Sequence, residues 1–313
     1  MFELKPYLPE LAPDWDRFVA ESKNGTFLLT RQFMDYHADR FRDCSLMVYR
    51  RGKLHALLPA SAHSTEVRSH GGLTYGGLIL GVKATADETV ETLRLIVDHY
   101  RRSGFSKLIY RPTPHIYHRM PAEEDLYALF RLGATLAGRD AAACIFLNDH
   151  PKMRDIRKAG VRKALAAGIT VNEEVDNFGP FWNVLSTNLH DKYGVGPVHS
   201  LEEINLLRNR FPRQIRLHTA TRGSECLAGA VIFLTGRVAH VQYISASPEG
   251  KRLGALDLLF SRLIGETYAG VPYFDFGKST EGDGSFLNAD LMYQKEGFGG
   301  RTVVYDTYNV NLL

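Results

Sequence analysis

At 313 residues, with 44% hydrophobic and 23% charged residues, the chain is neither disordered nor collagen-like. At roughly 100–200 residues per domain it is long enough for two. The 38 Lys and Arg against 35 Asp and Glu leave +3, too mild a balance to argue for nucleic acid by itself. Cys44, Cys144 and Cys226 are scattered and form no Cys-x-x-Cys pair, so a zinc ribbon and a thioredoxin-type site are unsupported and a reducing cytosol is expected. The N-terminal MFELKPYLP does not read as a signal peptide, and no apolar run approaches the ~20 residues that cross a bilayer, so a soluble cytoplasmic protein is expected.

In chain order, extended segments are expected at Leu46–Arg50, His55–Ala60 and Gly77–Leu80. Leu93, Ile96, Val97 and Tyr100 have helical spacing, Gly104 breaks the helix, and Lys107 to Tyr110 is a buried strand. The second half repeats this plan. Strands at Ile215–Ala220, Cys226–Leu234 and Val238–Ser245 precede a helix marked by Leu256, Leu259, Leu263 and Ile264; Gly270 follows, then the strand from Tyr273 to Phe276. Gly104 and Gly270 stand 166 residues apart, about half the chain. Two copies of one α/β unit are therefore expected, residues 1–149 and 150–313.

Between the copies lies a basic run: Lys152, Arg154, Arg157, Lys158, Arg162 and Lys163. Arg154, Lys158 and Arg162 share one helix face, either as a phosphate clamp or as a solvated surface. An aromatic-rich helix is expected from Phe178 to Leu189. A loop then leads through Gly196-Pro197 to a helix at Leu201–Arg210, with Ser200 and Glu203 spaced as a capping box.

The stretch from Val238 to Gly277 carries the clearest chemistry. A strand runs into Ser247-Pro248-Glu249, then Gly250, Lys251, Arg252, Leu253, Gly254 and Ala255, then a helix. Glycines and a Lys-Arg pair at a helix N-terminus suit an anion, because free N–H groups and the helix dipole favour negative charge there. Downstream, Ala289, Met292 and Tyr293 fit a helix face that Gly297 can end, before a strand at Thr302–Tyr305.

In order and spacing, SPEGKRLGALDLL and NADLMYQKEGFGGR resemble two motifs of the Gcn5-related N-acetyltransferase (GNAT) superfamily, over about residues 215–307. The chain as two such units resembles the tandem, FemABX-like group. The resemblance implies an α/β protein of two GNAT-like domains with mixed central sheets, acting as an N-acyltransferase of bacterial type. It implies that the strand before the turn offers backbone N–H groups to the donor, over Tyr243, Ile244 and Ser245. It also implies that the turn from Gly250 to Gly254 holds the coenzyme A pyrophosphate and that Tyr293 is the general acid for the leaving thiolate. Glu281 and Asp275 are base candidates for the attacking amine. One departure stands out. The family turn begins with Arg or Gln and has glycine where this chain has Arg252, a side chain that would crowd a phosphate.

The first copy has Gly81-Val82-Lys83-Ala84-Thr85-Ala86 at the corresponding place, without a glycine ladder, and is expected to be the acceptor side. In tandem proteins of this type the acceptor lies between halves. Candidate contacts are His70 and Tyr75 in SHGGLTYGG, then Arg111, His115 and Tyr117, with Lys192 and His199 from the second copy. His115 and His118 hint at a metal, but no third ligand follows at a telling spacing, and none is expected. No Gly-x-Ser-x-Gly elbow, P-loop, Gly-x-Gly-x-x-Gly or His-Glu-x-x-His occurs. Three functions stay open: transfer from acyl-CoA, acetyl-CoA first, to an amine of a sugar, peptide or small molecule; FemABX-like aminoacyl transfer from charged tRNA to a cell-wall precursor; or a non-catalytic binding module on the same fold. Apart from charged tRNA, no nucleic-acid partner is expected.

Overall fold

The structure is a computed structural model and describes residues 1–173 and 175–313. It divides into two compact units. The first is Met1–Ala141 with Thr280–Phe286 and Val304–Leu313; the second is Ala142–Ser279 with Leu287–Val303. Both mix strands and helices, the α/β class the sequence implied.

In the first unit, Phe2–Pro6, Leu46–Arg50, Lys53–Leu58 and Ile79–Leu80 form an antiparallel sheet. A second set of strands includes Glu66–Arg68, which runs parallel to Lys107–Tyr110. The long helix Ala86–Arg102 starts with a capping box, Thr85 with Glu88, that satisfies two of its orphan N–H groups. It ends before Gly104 at φ +84°, as its sequence suggested. Its apolar stripe of Leu93, Ile96, Val97 and Tyr100 packs on Leu58, Leu80 and Leu108 to make the unit's core.

In the second unit, Thr170–Asn172, Ile215–Arg222, Glu225–Leu234 and Val238–Ala246 pair antiparallel in succession. Val238–Ala246 then pairs parallel with Tyr273–Lys278, whose other edge pairs antiparallel with the strand ending at Phe146. The helix Ala255–Arg262 continues as a wider turn over Leu263–Thr267, so it stops well before Gly270. Leu201–Arg210 forms where the Ser200–Glu203 box placed it, while Gly179–Tyr193 runs four residues past the expected end at Leu189, to stop at Gly194 with φ +67°.

A buried histidine gives this sheet a pH dependence. His218 is fully buried, and its Nε2 lies 2.7 Å from the Tyr268 hydroxyl. Burial pushes its pKa down to about 4. In the unfolded chain it titrates near 6.5. Between those values the unfolded state binds more protons, so stability is full above pH 6.5 and declines as the pH falls toward 4, by about 3 kcal/mol for this group. Urea denaturation at pH 7, 5.5 and 4 is expected to show that loss, and His218→Gln, which keeps a partner for Tyr268, to lose distinctly less across the same range.

Candidate active site

The parallel ladder in the second unit is short. Val238, Ala239 and His240 pair with Tyr273, Phe274 and Asp275, and there the register ends. The strands part because both are distorted. The first carries a bulge near Gln242, since Val231 pairs with Tyr243 and Ile232 with Val241. The second loses register against its other neighbour between Asp275 and Lys278, with Gly277 at φ +69°. From Val241 to Ala246 the first strand continues past the end of the parallel ladder.

A buried polar cluster stands at the parting. Asp275 is fully buried, and His240 is 8% exposed. His240 Nδ1 lies 2.8 Å from Asp275 Oδ2, while Asp275 Oδ1 accepts the Gly277 N–H at 2.9 Å. A carboxylate oxygen opposite Nδ1 makes that nitrogen the donor and leaves Nε2 as the basic nitrogen of the ring. Lys295, from the helix Ala289–Glu296, donates to the Gly277 and Lys278 carbonyls at 2.9 and 2.7 Å. Burial pulls its pKa down to about 8, against the opposing pull of the Asp275 charge. Asp275, expected as a base, is enclosed and bonded on both oxygens, to His240 and to the Gly277 N–H. Sequence reasoning missed His240 and Lys295. The available signal was a His and an Asp each set between apolar neighbours, Ala239 and Val241 on one strand and Phe274 and Phe276 on the other.

The other expected residues separate into groups. Tyr243 faces the helix Gly179–Tyr193, with its ring edge-on to Trp182 and its hydroxyl bonded to the His199 N–H at 3.2 Å and to the His199 ring. Burial pushes that phenol up to about 12. His199 is buried; Lys192 is exposed in the last turn of the same helix. Ser245 is held by Asn188 Nδ2 at 2.7 Å, and Ile244 is half-exposed. Tyr293 is exposed, its ring 4.4 Å below the Arg154 guanidinium. In the first unit, His70 is buried against Phe41 and His37, and burial pushes its pKa down to about 4. Tyr75 bonds Thr26 at 3.0 Å, and its ring lies tilted at 45° with its centroid 4.6 Å from that of Tyr117, whose hydroxyl meets that of Tyr305 at 2.9 Å. Arg111 and His115 are exposed; His118 is buried on the Thr113 carbonyl at 2.8 Å. Glu281 is exposed and belongs to the first unit. Among the described residues no group of three or more His, Cys, Asp or Glu could hold a metal.

The glycine-rich stretch differs from its sequence reading. It is not an open turn but the short helix Pro248–Leu253, followed directly by Ala255–Arg262. Ser247 caps it, accepting the Gly250 N–H at 3.0 Å, and its carbonyl takes the Lys251 N–H at 2.9 Å. A Cβ on Gly250 would strike the Leu227 carbonyl, and one on Gly254 would lie 2.5 Å from the Gly160 carbonyl. Both glycines therefore permit close packing of the chain on itself. Leu253 and Ala255 are buried, and Lys251 reaches Asn188 at 3.3 Å. Arg252 forks onto Glu249 at 2.8 and 2.9 Å, which holds Glu249 down at about 2. In the first turn of the next helix, where an anion would gain most, Asp257 is already paired with Arg157 at 2.8 Å.

The family model of the acetyltransferase (GNAT) domain matches residues 150–285. Among solved structures, the chain is similar to FemX, with a TM-score of 0.66 at 12% identity, covering 99% of this chain and 97% of that one. It is similar to L-PGS from Bacillus licheniformis, at 0.57 and 12%, covering 89% and 90%. It is also similar to a tandem GNAT protein from the clavulanic acid biosynthesis pathway, at 0.52 and 12%, covering 100% and 99%. At these identities the likeness is one of fold. A search of curated proteins gave no significant match.

If Gly250 serves packing, its replacement acts on the fold. Gly250→Ala is expected to destabilise by about 1–3 kcal/mol, the usual cost of overpacking, read as a lower urea midpoint with no ligand added. An unchanged midpoint would return the glycine to a ligand-binding role.

Proposed function

We propose that the chain, whose residues 150–285 match the acetyltransferase (GNAT) domain model, is an N-acyltransferase that moves an acyl group to an amine at the parting of the strands Val238–Ala246 and Tyr273–Lys278. The observation that carries this reading is the buried His240–Asp275 pair at the last rung of the parallel ladder. The amine must lose a proton as it attacks, and His240 Nε2, with its tautomer fixed by Asp275, is the base. Negative charge then builds on the carbonyl oxygen. Backbone N–H groups of the strand beyond His240, over Tyr243 to Ser245, meet it there, each well-placed donor contributing about 3 kcal/mol. The carrier leaves as thiolate or alkoxide, and Tyr293 is the phenol that returns the proton. The second half, 150–313, is the donor side, and the first, 1–149, is the acceptor side. The acceptor is an amine of a sugar, peptide or small molecule, and the reaction is cytoplasmic.

The first donor reading is an acyl-CoA, acetyl-CoA foremost. A second, aminoacyl-tRNA, gains from one observation: the place expected to seat the coenzyme A pyrophosphate is taken up by the helix Pro248–Leu253 and the Arg157–Asp257 pair. The test follows amine-dependent loss of donor, with acetyl-CoA, longer acyl-CoAs and charged tRNA in parallel and amino sugars and peptides as acceptors. One donor class is expected to turn over. With it, His240→Gln is expected to lower kcat by about 10²–10³-fold with little change in KM. Asp275→Asn is expected to lose activity through the wrong tautomer, and Tyr293→Phe to slow only the step that releases the carrier. Turnover with no donor would leave the binding-module reading; undiminished turnover in His240→Gln would remove His240 as the base.

A further inference from the structure

A cavity of about 450 Å³ lies in the first unit. Phe18 of the helix Ala12–Glu21, Leu54 and Val82 give it apolar walls. Arg51 and Lys53 reach it from the hairpin between Leu46–Arg50 and Lys53–Leu58, and Lys83 from the loop after Ile79–Leu80. The hairpin turns through Arg51 and Gly52, at φ +50° and +74°, which projects two cations on either side of one glycine. Arg50, opposite Lys53 in the ladder, is neutralised by Glu88. Arg51, Lys53 and Lys83 make no ion pair among the described residues, and the one acid that joins them in the lining is Glu21. Three cations against one carboxylate give the mouth of the cavity a positive surplus.

His55 also lines the cavity and is 9% exposed; its Nε2 is enclosed, with the Glu88 carboxylate 3.9 Å away. The size of the cavity, its apolar walls and its few convergent polar groups are those of a small-ligand site.

We propose that this cavity binds a small amphipathic phosphate ester. Its apolar body rests on Phe18, Leu54 and Val82, and its phosphate lies among Arg51, Lys53 and Lys83. A dianionic phosphate matches the charge surplus better than a carboxylate does. The proposal is independent of the acyl-transfer reading, since none of these residues takes part in it.

The test is calorimetric titration of the full chain with 1-naphthyl phosphate, 1-naphthoate, 1-naphthol and inorganic phosphate, at low and at moderate salt. Saturable one-to-one binding of 1-naphthyl phosphate is expected, at least tenfold tighter than each of the other three and weaker as salt rises. The double variant Arg51→Glu with Lys53→Glu is expected to weaken it tenfold or more. Val82→Asp is expected to weaken it too, and Arg94→Glu, a single charge reversal away from the cavity, to leave it unchanged. All four side chains are exposed, so the variants are expected to melt like the parent protein. Equal affinity for inorganic phosphate or naphthoate, or binding indifferent to the double variant, would overturn the proposal.

Discussion

Two parallel strands stay together only while their backbones exchange hydrogen bonds, and in the second unit that exchange stops at His240 and Asp275. Backbone groups released from a ladder in a buried place need other partners. Here side chains supply them. Asp275 takes the Gly277 N–H, and Lys295 gives protons to the Gly277 and Lys278 carbonyls. The parting is thus held open by a polar cluster that replaces the missing rungs. Its members depend on one another. Lys295 is a cation drawn out of water and supported by the Asp275 charge, and Asp275 is an enclosed carboxylate supported by His240, Lys295 and one peptide N–H. Removing one charge would leave the other buried and uncompensated, the costly outcome for such pairs. The group that orients the imidazole therefore also shapes the strand end, so geometry and chemistry at this site cannot be tuned separately.

Glycine serves the second unit in a way its sequence pattern does not reveal. A missing Cβ admits a phosphate and a neighbouring backbone equally well. At Gly250 the neighbour is the Leu227 carbonyl, and at Gly254 it is Gly160 of the helix Asp155–Ala166. Gly160 is in turn crowded by Asp257, the residue that pairs with Arg157. Helix Asp155–Ala166 therefore lies hard against the start of Ala255–Arg262 and brings its own arginine to the carboxylate there. One set of close approaches accounts for the glycines, the acid in the first helical turn and the arginine.

Local signals in the sequence carried much of the fold. The stripe from Leu93 to Tyr100, the Ser200–Glu203 box and the three strands between Ile215 and Ala246 are decided by neighbours a few residues away, and they lie where their spacing put them. The strand Thr135–Phe146 was illegible, because Gly138, Asp140 and a run of alanines give it neither alternation nor β-branched character. Of the candidate site, the strand was legible and the side-chain pair on it was not. Tyr243 to Ser245 could be placed on the strand that outruns its partner. That His240 meets Asp275, 35 residues on, follows from the register of a parallel pair, which no local pattern encodes.

Charge shows the same division between composition and geometry. The basic run from Lys152 to Lys163 looks like an anion clamp on a helical wheel, yet Arg154 lies over Tyr293 and beside Glu296, and Arg157 is bound to Asp257. Arg252, a crowding cation in sequence, is matched by Glu249. Those arginines hold elements of the unit together, and an incoming anion would have to compete with carboxylates already in bidentate or close contact. By contrast Arg51, Lys53 and Lys83 stand apart in sequence, draw no attention as a run, and converge on one cavity only because a hairpin and a strand end meet there. What marks a cation as available for a ligand is the absence of a carboxylate within reach, and that depends on which loops the fold brings together. In the first unit the available charge gathers around apolar walls, so the same folding that buries the core also selects for an anion with a hydrophobic body.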